Sequence, residues 1–66
     1  MNIMINGENF FFDKSLTIDE LLKKNNISLQ NIVIEINKEI ITKSLWGKYK
    51  LNSGDEVEII TAVGGG

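Results

Sequence analysis

The chain has 66 residues, with seven lysines, no arginine and nine acidic side chains, for a formal charge of −2, and 42% of it is hydrophobic. It contains neither cysteine nor histidine, which removes disulfide staples, a thiol nucleophile, the usual zinc ligands and the usual general base, so a domain of this size must rest on well-matched apolar faces. No basic stripe points to nucleic acid, no apolar run nears the roughly 20 residues of a membrane span, and Met1-Asn2-Ile3-Met4 lacks the pattern of a secretion signal, so the expectation is a protein of the cytoplasm with neither nucleic acid nor membrane as partner.

Met1, Ile3 and Ile5 alternate with Asn2, Met4 and Asn6, the period of two that marks a strand with one buried face. Asn6-Gly7 follows. This pair readily supplies the two positive φ angles of a type I′ turn, so Glu8 to Phe12 is predicted to return as a second strand. On it Phe10 and Phe12 share one face and Phe11 takes the other. The phenylalanine run reads as core and hairpin packing, with one apolar face partly open to water.

A helix start is then well marked. Thr17 is a good N-cap, Glu20 three residues on completes a capping box, and Leu16 and Leu21 occupy the positions of a hydrophobic staple. Ile18, Leu21 and Leu22 fall on one face. Asp19 and Glu20 at the start, and Lys23 and Lys24 near the end, suit the helix dipole. Asn25 and Asn26 interrupt the apolar stripe, so the helix is predicted to stop after about two turns, with one of these asparagines in the left-handed end position.

Ile27 to Asn31 reads as a connection anchored by Ile27 and Leu29. Ile32 to Ile36 is predicted as a strand, with Glu35 towards water and Ile32, Ile34 and Ile36 towards the core. Asn37-Lys38 is a tight turn into a short strand over Glu39 to Thr42. Trp46, in the loop from Lys43 to Lys50, is read as a packing anchor. Asn52-Ser53-Gly54-Asp55 is a turn cluster, and the last strand runs from Glu56 to about Ala62.

This order of elements predicts a two-layer α+β domain, a mixed sheet of four to five strands with one short helix packed on one face. The last strand is expected to be central and to pair with the first, because it is apolar on both sides. The uncovered face would carry Ile60 and Ala62, with Phe11 or Val33. Two readings of that face stand: a partner docks on it, or its apolar residues are scattered and without use.

The final residues, Ala62-Val63-Gly64-Gly65-Gly66, place three glycines after a strand. Residues 1–62 are read as the domain and 63–66 as a flexible glycine tail. Such a tail adds little to a fold, threads a narrow cleft, and leaves the carboxylate of Gly66 unhindered; a disordered terminus is the plainer reading. From Ala62 to Gly66 it would reach about 17 Å fully extended.

These pieces together resemble the ThiS family, sulfur carriers of thiamine biosynthesis in the ubiquitin-like β-grasp group. The resemblance spans the whole chain. It is carried by Ile3-x-Ile5-Asn6-Gly7, the helix start Leu16-Thr17-Ile18-x-Glu20-Leu21-Leu22, Ile34-Glu35-Ile36-Asn37, Trp46, Gly54-Asp55-x-Val57-Glu58-Ile59 and the terminal glycines. The third glycine, Gly64, departs from the minimal Gly-Gly end of the family.

The resemblance implies a β-grasp fold and a specific chemistry. An adenylating enzyme (ThiF-like) would use ATP to activate the Gly66 carboxylate, a persulfide sulfur donor would convert it to a thiocarboxylate, and thiazole synthase (ThiG-like) would receive the sulfur. Gly64 and Gly65 would form the tail, and Phe11, Ile60, Ala62 and Val63 the partner interface. The chain would bind no cofactor or metal, would be monomeric when free, and would act as a protein cosubstrate. Two alternatives stay open: a molybdopterin-type sulfur carrier, and a ubiquitin-like docking or modifier module without sulfur chemistry.

Overall fold

A computed structural model describes residues 1–61. The five strands are β1 (Asn2–Ile5), β2 (Glu8–Phe11), β3 (Ile32–Ile36), β4 (Glu39–Ile41) and β5 (Glu56–Thr61), with one helix, α1 (Ile18–Lys24), and a 3₁₀ turn over Lys43–Leu45. They form one sheet in the order β2-β1-β5-β3-β4. β1 and β5 are parallel, and the other neighbours are antiparallel. The last strand is therefore central and lies beside the first, as the sequence predicts.

The reason differs from the expected one. Val57 of β5 is buried, but Glu56 and Glu58 on its other side are exposed. Backbone pairing on both edges, rather than apolar cover on both faces, holds β5 in the middle.

Both hairpins close with two residues of positive φ: Asn6 at 48° and Gly7 at 84°, then Asn37 at 51° and Lys38 at 71°. These are type I′ turns, whose twist matches that of the strands they join. Lys38 holds its conformation without glycine's freedom, an uncommon arrangement for a long side chain.

The predicted helix start is present in full. Thr17 Oγ1 accepts from Glu20 N–H at 3.2 Å, and Glu20 Oε1 accepts from Thr17 N–H at 2.9 Å. The bond from the Thr17 amide holds the Glu20 carboxyl below its usual range against desolvation, with lesser help from the Thr17 side chain, Lys50 and Lys14. At the other end Asn26 takes the left-handed position at φ 57°. Asn26 N–H donates to Lys23 O and Ile27 N–H to Leu22 O, the two bonds of a Schellman motif.

α1 lies over one face of the sheet. Ile18, Leu21 and Leu22 bury against Ile3, Ile5, Ile34, Ile36 and Val57, with Phe12, Leu16, Trp46 and Leu51 closing the core. Ile27 and Leu29 anchor the connection after the helix against it. Trp46 is the predicted anchor, 2% exposed, and its Nε1–H donates to Ile41 O at 2.9 Å. Burying an indole with its one donor satisfied is worth about 3–5 kcal/mol against alanine.

The phenylalanine run departs from the core reading. Phe12 is buried, but Phe10 and Phe11 are exposed on the edge strand β2. Phe10 lies on the helix side but beyond the cover of the short helix, whereas Phe11 lies on the open face, where the sequence placed it. Among the described residues, no helix is long and apolar enough to cross a membrane.

Candidate functional site

Two features of the described residues can serve a partner: the sheet face away from α1, and the end of β5 that leads into residues 62–66. The backbone register fixes what the open face carries. Alternation with the buried Ile3, Ile5, Ile34, Ile36 and Val57 puts Met4, Val33, Glu35, Glu56, Glu58 and Ile60 on the side away from the helix. Val33 lies opposite Ile60, Glu35 opposite Glu58 on one side and Ile40 on the other. Phe11 lies opposite Asn2 on the same face.

The centre of this face is therefore acidic, with Glu35 and Glu58 side by side. Val33 and Ile60 flank the acids at one end, Ile40 stands level with them beside Glu35, and Met4 and Phe11 lie towards the other end. Like charges directly opposite one another in a sheet cost stability, so this pair does not help to hold the fold. A face of this kind offers carboxylates to a basic partner and an apolar border to pack against.

Of the expected interface residues, Ile60 is 44% exposed and Phe11 70% exposed. The fold does not bring them together. Phe11 is level with Asn2, two residues before Met4, and Ile60 is four residues beyond Glu56, the neighbour of Met4. Six residues of strand separate their levels, roughly 20 Å, and Phe11 stands two strands from β5. Ala62, Val63, Gly64, Gly65 and Gly66 lie outside the described residues.

Ile40, 66% exposed, is a residue that the sequence reading did not single out. Its place was readable. A two-residue turn at Asn37-Lys38 pairs Ile36 with Glu39 and hence Glu35 with Ile40, so Ile40 must share the side that Glu35 turns to water.

β5 is fastened by side-chain amides at its first residue, Glu56, and at its fourth, Ile59. Asn37 Oδ1 accepts from Glu56 N–H at 3.0 Å, and Asn37 Nδ2 donates to Asp55 Oδ1 at 3.0 Å. Asn6 Oδ1 accepts from Ile59 N–H at 2.8 Å, and Asn6 Nδ2 lies 3.4 Å from Ile59 O. Each asparagine opens a type I′ turn and reaches sideways to the central strand. Among the described residues no enclosed pocket is present, and no group of acidic side chains is arranged to hold a metal ion.

Comparison with known proteins places this arrangement. Residues 2–66 match the model of the ThiS family. The chain is 34% identical to the sulfur carrier protein ThiS of Bacillus subtilis, over 97% of this chain and 98% of that one. It is 36% identical over its full length to part of a thiazole synthase of Paramagnetospirillum magneticum, of which it spans 20%. The crystal structure of the thiamine biosynthesis protein ThiS from Geobacter metallireducens superposes with a TM-score of 0.87 at 29% identity, covering both chains completely. The chain belongs to the ThiS family and is a sulfur carrier protein of thiamine biosynthesis with the ubiquitin-like fold.

Proposed function

We propose that the carboxylate of Gly66 is the group that carries the sulfur. The supporting observation is the placement of β5: paired on both edges, tied at its start by Asn37 and at Ile59 by Asn6, and followed in the sequence by Ala62-Val63-Gly64-Gly65-Gly66. A rigid strand delivers the chain, and residues without side chains let the acyl carbon enter a partner's active site.

A carboxylate resists attack until one oxygen becomes a leaving group. In this reading the Gly66 carboxylate attacks the α-phosphorus of ATP in an adenylating enzyme, pyrophosphate departs, and an acyl-adenylate forms. The terminal sulfur of a persulfide donor then attacks the acyl carbon and AMP leaves. A second thiol cleaves the resulting S–S bond by exchange and releases the thiocarboxylate. The carrier is a protein cosubstrate throughout, and a thiazole synthase is the acceptor. The likeness of this chain to part of a thiazole synthase supports that partnership, since in that relative the two are parts of one protein.

The test is intact mass after incubation with ATP, a thiamine-pathway adenylating enzyme and a persulfide source. A gain equal to replacing one oxygen by sulfur, abolished by deleting Gly66, is the expected result. An unchanged mass beside an active control carrier overturns the reading.

A further inference from the structure

The backbone of residues 55–59 is fastened to β1 rung by rung. Met4 N–H donates to Asp55 O at 3.0 Å and Asn6 N–H donates to Val57 O at 2.9 Å. In a parallel ladder the next rung would run from Ile59 N–H to the backbone carbonyl of Asn6. At φ 48° the chain has already turned away there. The Asn6 side chain supplies the rung instead: Oδ1 accepts from Ile59 N–H at 2.8 Å, and Nδ2 approaches Ile59 O at 3.4 Å. Beyond this point Ile60 and Thr61 are paired with Val33 and Ile32 of β3.

We propose that Asn6 is a positioning residue for sulfur loading: its carboxamide lengthens the β1–β5 ladder by one rung and, together with the pairing of Ile60 and Thr61 to β3, holds the course of the strand that leads to Gly66. The proposal rests on the reading of Gly66 given above. Ile59 precedes Gly66 by seven residues, so the hold on Ile59 bears on where the chain that leads to the carboxylate sets out. Misplacement of a reacting group by about 1 Å can cost up to about 100-fold in rate. Asparagine meets both demands of the position. It tolerates positive φ, and its planar amide offers one acceptor and one donor, as a peptide group does.

The test compares Asn6→Gly and Asn6→Asp with the unaltered chain. Glycine keeps the turn and removes the rung; aspartate keeps the Oδ1 acceptor for Ile59 N–H. Two quantities are read: amide exchange at Ile59 in the free protein, and kcat and KM for thiocarboxylate formation by the adenylating enzyme. Asn6→Gly is expected to speed Ile59 exchange about tenfold, the equivalent of one lost hydrogen bond. It should lower kcat by about tenfold with KM within about twofold, and Asn6→Asp should recover most of kcat.

Ile59 exchange unchanged in Asn6→Gly overturns the proposal alone, whatever the chemistry at Gly66. Faster exchange with unaltered kcat also overturns it, as does an equal loss of kcat in Ile36→Val, a core variant matched in stability. Failure of the unaltered chain to gain sulfur removes the reading on which the proposal rests, and the proposal with it.

Discussion

Asn37 and Asp55 lock the start of the central strand: Asn37 Nδ2 donates to Asp55 Oδ1 at 3.0 Å while Asp55 Oδ2 accepts from Asn52 N–H at 2.8 Å. Asp55 is a buried charged residue, 8% exposed, and both its oxygens are used. Asp55→Ala leaves two donors unpaired and is expected to cost about 2–3 kcal/mol. Chemical denaturation of Asp55→Ala, Asn37→Ala and the double variant should show a coupling of about 0.5 kcal/mol or more, since each single change already breaks the shared bond. Additive losses would show that the two residues act separately.

Lys38 sits at φ 71° in the second turn, where a side chain costs about 1–2 kcal/mol that glycine does not incur. Lys38→Gly recovers that strain but loosens the unfolded chain, which returns part of the gain. The expected result is a net stabilisation of about 0.5–1 kcal/mol, read as a rise in the denaturation midpoint at constant slope. A loss of stability would mean that the lysine is fixed there by contacts rather than tolerated.

The elements that the sequence announced are those with local causes. Thr17 and Glu20 cap a helix by themselves, and Asn6-Gly7 turns a chain whatever lies beyond it, so these were legible residue by residue. The central place of β5 was legible too, although the apolar cover invoked for it is missing at Glu56 and Glu58. What escaped was set by partners distant in sequence. Asn6 meets Ile59 across 53 positions, and no local pattern distinguishes an asparagine that only turns the chain from one that also bonds to a neighbouring strand. The exposure of Phe10, on the helix side of the edge strand, escaped for the same kind of reason: it depends on how much of the sheet a seven-residue helix covers. Buried Asp55 read only as a turn former, because its second role requires Asn37.

The capping carboxylate gives the fold a dependence on acid. The Glu20 pKa is lowered in the folded chain, chiefly by the bond from Thr17 N–H. A carboxyl whose folded value lies below its unfolded one stabilises the fold at neutral pH. That contribution is lost as pH falls from the ordinary glutamate range through the lowered value. Glu20→Gln keeps an oxygen for the Thr17 amide but cannot titrate. Its stability is expected to be slightly lower at pH 7 and to fall less steeply across that acid range. Parallel acid limbs for the two proteins would place the acid sensitivity elsewhere.

Glu35 and Glu58, directly opposite on the open face, separate folding from docking. Glu35→Lys replaces a like-charge pair with an opposite one and is expected to raise the melting midpoint by about 2 °C. If the face meets a basic partner, the same change weakens loading by the adenylating enzyme, and added salt narrows the difference between the two proteins. A variant that is more stable and loads equally well would show that these carboxylates lie outside the footprint.

Ile60 and Phe11 test the extent of that footprint, because they share a face but stand about 20 Å apart along the strands. Ile60 borders the exit of β5, from which the chain runs on to residues 62–66. Ile60→Asp is expected to raise KM for the adenylating enzyme about tenfold, the loss of a well-placed apolar contact. Since Ile60 is 44% exposed, the melting midpoint should fall by only a few degrees, about the equivalent of 1 kcal/mol or less. Phe11→Asp, on the far edge strand, is expected to leave KM within about twofold. Equal losses from both would require a partner that covers the whole open face from β2 to the end of β5. Unfolding of Ile60→Asp would instead assign Ile60 to the core and remove it from the interface.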